Sequence, residues 1–146
     1  MLKRSRLLAR LRVGQSIGFA VHGLVDVTTT IYGIKNCETM KKARAWLDSR
    51  GIAYAFHDYK AAGIERGVLE GWTRKVGWEV LMNRSGTTYR KLPEKDKDGL
   101  TQERAIALMC GQPSMIKRPV LDVDGKLTVG FAAEVYESAL GCPPHA

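Results

Sequence analysis

Cysteine is scarce in this chain: Cys37, Cys110 and Cys142 are the only three in 146 residues. An odd number with no two close together makes a poor disulfide framework and excludes a local zinc knuckle. Free thiols in a reducing compartment, and so a cytoplasmic location, are the expectation. Long apolar runs are missing as well. The densest stretch, Ile17 to Val25, is broken by Gly18, His22 and Gly23, and falls far short of the ~18–20 residues of a membrane span. There is no metal-ligand spacing, no internal repeat and no low-complexity block. Acids are almost absent from residues 1–26, where five Lys/Arg face Asp26 alone. That segment reads as a flexible N-terminal extension, and 142–146 as a tail. The rest of the chain holds 18 Lys/Arg and 14 Asp/Glu. Such a balance suits anionic small substrates but lacks the concentrated basic face of a nucleic-acid binder. A monomer with neither nucleic acid nor membrane as partner is expected.

What is present suffices for one domain. Apolar residues make up 45% of the chain and charged ones 26%. A domain of this length buries about two-thirds of its unfolded-chain surface, so residues 27–141 need no disulfide or metal to fold. Thr28 to Ile34 is β-branched and aromatic and predicts a strand. After a polar turn, Lys35-Asn36-Cys37, apolar Met40, Ala43, Trp46 and Leu47 recur at helical spacing until Gly51 stops the helix. Ile52 to Tyr59 alternates like a strand, and its long crossover from the first strand suits parallel pairing. Helices are predicted over Ile64–Val76 and Thr101–Cys110, the latter capped by Thr101. Asn83 to Gly86 reads as a turn and Pro93 to Gly99 as a charged linker. Arg118 to Val123 is a strand opened by a proline, Asp124-Gly125 a hairpin turn, Lys126 to Phe131 its return arm, and Ala132 to Leu140 a closing helix. The sum is an α/β fold: a thioredoxin-like mixed four-stranded sheet with helices on its faces.

The chemistry gathers at Cys37. A thiol between a strand end and a helix start meets free N–H groups and the positive end of the helix dipole. Lys35, Lys41 and Lys42 add positive charge. Both influences favour a nucleophilic thiolate. Met40 stands where a second redox cysteine would be, so no local disulfide can form. Cys37 must then work by a monothiol route: attack, a mixed disulfide, and rescue by another thiol, for which glutathione is the candidate co-substrate. Cys110 reads as core. Arg118 can grip an anion or carboxylate through its bidentate fork, with Pro119, which can be cis, shaping the groove. Arg118 is expected to contribute little to the fold. Lys35, Asn36, Asn83 and Arg84 are further candidate substrate contacts. His57 and Asp58 point to opposite faces of a strand and cannot form a dyad.

The segments "TIYGIKNCETMKKARAWL", "YAFHDYK", "NRSGTTYRKL", "IKRPVL" and "VGF" occur in this order. Together they resemble the arsenate reductase (ArsC)/Spx family, and within it the short YffB-like branch, over about Thr28 to Leu140. The resemblance implies a thioredoxin-like sheet with a helical region inserted at about 63–112. It matches the family's active cysteine to Cys37, and its arginine before a cis-proline to Arg118 and Pro119. Arsenate reductases of the family set three arginines around the cysteine. Here the first falls at Asn83, with Arg84 adjacent, and the third at Phe131. A tetrahedral oxyanion deprived of two charge-assisted donors loses several kcal/mol of stabilisation. The Cys-x-x-Cys switch of Spx-type regulators is likewise missing, because Met40 replaces its second cysteine. The expected function is a monothiol, glutathione-dependent thiol reductase without a bound cofactor. The alternatives are an arsenate reductase served by glutathione and glutaredoxin, or a Spx-like module docking on RNA polymerase.

Overall fold

A computed structural model of the protein describes residues 28–141. The 1–26 extension, the 142–146 tail, Cys142, His22 and His145 lie outside the described residues. Four strands form one sheet in the order β2-β1-β3-β4: β1 (Thr29–Gly33), β2 (Ala55–Asp58), β3 (Val120–Val123) and β4 (Lys126–Val129). Strand β1 pairs parallel with β2 and antiparallel with β3, and β3 and β4 form the hairpin. This is the mixed, thioredoxin-like α/β arrangement. Asp124 (φ 53°) and Gly125 (φ 87°) supply the two positive φ angles of the hairpin turn, as Asp-Gly pairs do.

Side chains alternate across β1, and each face of the sheet has its own core. On one face Ile31, Leu121 and Val123 pack against Met40, Ala43 and Leu47 of α1 (Glu38–Ser49) and Tyr136 of the C-terminal helix (Ala133–Leu140). Gly33 makes this close contact possible: a Cβ there would lie 2.2 Å from Met40 Sδ. The apolar spacing of α1 therefore fixes how near its first turn sits to the end of β1, and with it where Cys37 stands.

The other face carries the helices between β2 and β3. The predicted strand to Tyr59 is shorter, because the Asp58 carboxylate turns back to accept from the N–H groups of Lys60 and Ala61 and starts α2 (Tyr59–Ala62). Helix α3 (Arg66–Val76) and α7 (Gln102–Gly111) occupy the two predicted spans, with Thr101 Oγ1 accepting from Arg104 N–H as the cap. Between them the turn at Asn83 to Gly86 stands as predicted, flanked by the single helical turns α4 (Trp78–Leu81) and α5 (Thr87–Arg90). The predicted linker is more ordered than expected, with α6 (Glu94–Lys97) inside it. Single turns leave no 3.6-residue periodicity to detect. They hold through local links instead, such as Lys97 Nζ donating to Arg90 O and Glu94 Oε2. Helix α8 (Ala133–Leu140) closes the chain.

A short bridge positions the site. Met82 pairs antiparallel with Ile116, Asn83 N–H donates to Met115 O at 2.7 Å, and Lys117 N–H donates to Leu81 O at 2.7 Å. The turn that begins at Asn83 is thereby fastened to the segment leading into Arg118. No helix among the described residues is long and apolar enough to cross a membrane.

Candidate active site

Cys37 is the N-cap of α1, in extended backbone (φ −150°, ψ 128°), and its neutral thiol makes no capping hydrogen bond. The first N–H groups of α1 are thus unsatisfied and aimed at a sulfur that would accept from them as a thiolate. Partial burial works against the charged form. The N–H of Met40, the Arg118 side chain and the N–H of Thr39 outweigh it, and together with the Arg118 charge they hold the Cys37 pKa below the ordinary thiol value. The local lysines are not the source of this effect. Lys35, Lys41 and Lys42 are exposed, and Lys41 is paired with Glu38 at 3.2 Å. The charge that acts on the sulfur is Arg118, on the segment that enters β3.

Arg118 is not a solvated arginine at a strand end. It is half-buried, with Nη1 donating to Ser114 O at 3.1 Å and Ile116 O at 3.4 Å. Its Nε is buried without a hydrogen-bond partner. The expectation that Arg118 matters little to the fold is therefore corrected, since it ties down two backbone carbonyls. The bond from Arg118 to Pro119 is cis, and Pro119 is buried with its carbonyl accepting from Gly130 N–H. Behind Arg118, the Tyr59 hydroxyl donates to Ile116 O at 2.9 Å. Burial pushes the Tyr59 pKa far above the usual tyrosine range, the Arg118 charge opposing this, so the hydroxyl stays a donor.

A cleft of 270 Å³ opens beside Arg118. Asn36, Asn83 and Arg118 line it, as does Gly86, where a Cβ would come 2.8 Å from Asn83 Nδ2. Ile34, Lys60, Thr87, Thr88 and Ser114 complete the wall. None of these five was legible as a site residue. Lys60 directly follows what reads as a strand ending at Tyr59, and Thr87, Thr88 and Ser114 lack any motif. Cys37 does not line this cleft; Arg118 joins the two, lining one and acting on the other. Lys35 also lies outside it, with its N–H donating to Asp58 Oδ2 at 3.3 Å. Arg84 stands over the Trp78 ring at 5.2 Å rather than in the cleft. Phe131 is packed edge-on to Tyr136 at 4.9 Å and to Trp46 at 6.5 Å, so the third arginine position is filled by an aromatic cluster. His57 Nε2 pairs with Gly63 O at 2.8 Å while Asp58 binds backbone amides, which leaves the two unconnected. Among the described residues no three His, Cys, Asp or Glu gather to hold a metal.

Comparison with known proteins agrees with this geometry. The chain matches the ArsC family over residues 32–139. It is 55% identical to a YffB protein of known structure, with 77% of this chain and 99% of that one aligned at a TM-score of 0.75. An arsenate reductase (ArsC) related protein from Brucella melitensis is 54% identical over 78% of this chain and 95% of that one, with a TM-score of 0.65. The global transcriptional regulator Spx of Streptococcus mutans is 26% identical over 105 residues, 70% of this chain and 75% of that one. With a depressed-pKa cysteine at a helix start, an arginine before a cis-proline, and a family match across most of its length, the chain belongs to the ArsC family.

Proposed function

We propose that the protein is a monothiol oxidoreductase that reduces mixed disulfides at the expense of glutathione. The observation that carries this reading is the stabilisation of the Cys37 thiolate by the Met40 and Thr39 amides and by Arg118. In the first step the Cys37 thiolate attacks the glutathione sulfur of a mixed disulfide. A Cys37–glutathione disulfide forms, and the substrate leaves as a thiolate that takes up a proton. In the second step a glutathione thiolate attacks that disulfide, oxidised glutathione departs, and Cys37 is restored. Two glutathione moieties are joined and one substrate thiol is released, so electrons balance.

Met40 supports the single-cysteine route, being fully buried against Gly33. Arsenate reduction is the weaker reading, because Asn83 and Phe131 supply no charge to an oxyanion. Nor does the relation to Spx supply the paired cysteines of a redox switch.

The test is turnover of a glutathionylated peptide with glutathione, followed for wild type, Cys37→Ser and Cys110→Ser. Wild type and Cys110→Ser should turn over and carry a glutathione adduct on Cys37, and Cys37→Ser should do neither. Arsenate supplied with glutathione and glutaredoxin should be reduced far below ordinary enzyme rates of about 1–10³ s⁻¹. Undiminished turnover in Cys37→Ser would sink the proposal.

A further inference from the structure

We propose that Lys60 and Arg118 form a two-point clamp selecting thiol substrates that carry two anionic groups, with Lys60 as a specificity-determining residue. The inference rests on the thiol-exchange reading above and deepens it. The cleft beside Arg118 is lined by two cationic residues, Lys60 and Arg118, and every other lining residue is neutral. No carboxylate reaches it. Asp58, two residues from Lys60, turns its carboxylate to the N–H groups of Lys35, Lys60 and Ala61, and Glu38 is paired with Lys41. Among the described residues, the Lys60 ammonium has no ion-pair partner. The buried Arg118 Nε is also without a partner. Two like charges facing one concave, acid-free surface raise its positive potential and concentrate anions there.

The two charges are also held in register. Lys60 belongs to α2, pinned by Asp58 at its start. The neighbouring Tyr59 hydroxyl donates to Ile116 O at 2.9 Å and to Lys117 O at 3.4 Å, on the segment that runs into Arg118. The backbone positions that carry the two cations are thus fixed by the fold, while the exposed Lys60 side chain supplies the reach to an anion. A volume of 270 Å³, just under the roughly 300–1,000 Å³ of small-ligand pockets, fits a small dianion. A thiol with two carboxylates meets this description, and an uncharged thiol does not.

The experiment has two arms. The first alkylates Cys37 with iodoacetate and with iodoacetamide and reads the adduct on the Cys37 peptide. Both reagents form the same carbon–sulfur bond and lose iodide, but only iodoacetate is charged. Lys60→Gln should lower the iodoacetate-to-iodoacetamide rate ratio about threefold. Lys60→Arg should keep it, and Lys126→Gln, which removes an exposed charge at the hairpin, should leave it unchanged. The second arm measures mixed-disulfide reduction with glutathione and with cysteamine. Lys60→Gln should raise the KM for glutathione several-fold, hold kcat, and leave cysteamine kinetics alone.

An unchanged alkylation ratio in Lys60→Gln overturns the clamp even if the protein is an active reductase. A lowered ratio in a protein without turnover supports the clamp and refutes the reductase reading instead. A lowered ratio with an unchanged glutathione KM overturns the assignment of Lys60 to substrate selection.

Discussion

Cys37 and Cys110 are the same side chain, both half-buried, yet the protein drives their thiols in opposite directions. Burial raises the pKa of each. At Cys37 the Met40 and Thr39 amides and Arg118 reverse that effect. At Cys110, in the last turn of α7, Arg66 opposes burial but Glu70 adds to it, and the pKa stays raised. A helix start offers N–H groups to a thiolate, whereas a helix end offers carbonyls. Burial raises both thiols alike, and the difference between them is the helix-start amides and the Arg118 side chain that only Cys37 meets.

The most severe break in this contrast is Arg118→Ala. Losing a charge-assisted hydrogen bond is worth about 1.5–3 kcal/mol, so labelling of Cys37 near neutral pH should fall about tenfold to a hundredfold. Cys110 labelling should not change. The melting temperature should fall as well, since the Ser114 and Ile116 carbonyls lose a donor. In wild type, a pH titration of labelling should place the Cys37 midpoint below, and the Cys110 midpoint above, the ordinary thiol value of about 8.5. Equal midpoints would abolish the contrast.

A smaller effect is expected where the family's third arginine is missing. Phe131→Arg should destabilise the protein by about 1–3 kcal/mol by removing edge-on contacts to Tyr136 and Trp46. Arsenate reduction should remain weak. A well-folded variant that reduces arsenate would show that this aromatic cluster alone bars the oxyanion.

The smallest effect concerns the caps. Cys37 caps α1 with a thiol that makes no hydrogen bond, and Thr101 caps α7 with a hydroxyl that accepts one from Arg104 N–H. Thr101→Ala should lose about 1 kcal/mol, whereas Cys37→Ser should gain several tenths to about 1 kcal/mol at pH 5, measured by urea unfolding. A depressed folded pKa means that the thiolate stabilises the native state above the unfolded value of about 8.5 and that this gain is lost as pH falls through the folded pKa. The advantage of Cys37→Ser over wild type should therefore shrink as pH rises toward 8.5. An advantage that grew with pH would contradict a depressed Cys37 pKa.

Local chemistry was legible wherever neighbours in the chain suffice. The β-branched run of β1, the helical spacing of Met40, Ala43 and Leu47, the Asp124-Gly125 turn and the Thr101 cap each announce themselves within a few residues. So does the placing of Cys37 at the start of α1. The single turns α4, α5 and α6 do not, because four residues carry no period.

By itself, then, the sequence determined the strands and the longer helices, the position of Cys37 and the absence of a partner cysteine at Met40. Tertiary structure decided which charge governs that thiol. Lys35, Lys41 and Lys42 are adjacent in the chain but solvated, and water screens them. Arg118 is distant in sequence, but β3 beside β1 brings its half-buried guanidinium to the sulfur. The same folding brings Lys60 to the cleft that Arg118 lines, through an Asp58 cap and a Tyr59 hydroxyl bond to a distant segment. Electrostatic strength depends on distance and burial, and both belong to the fold.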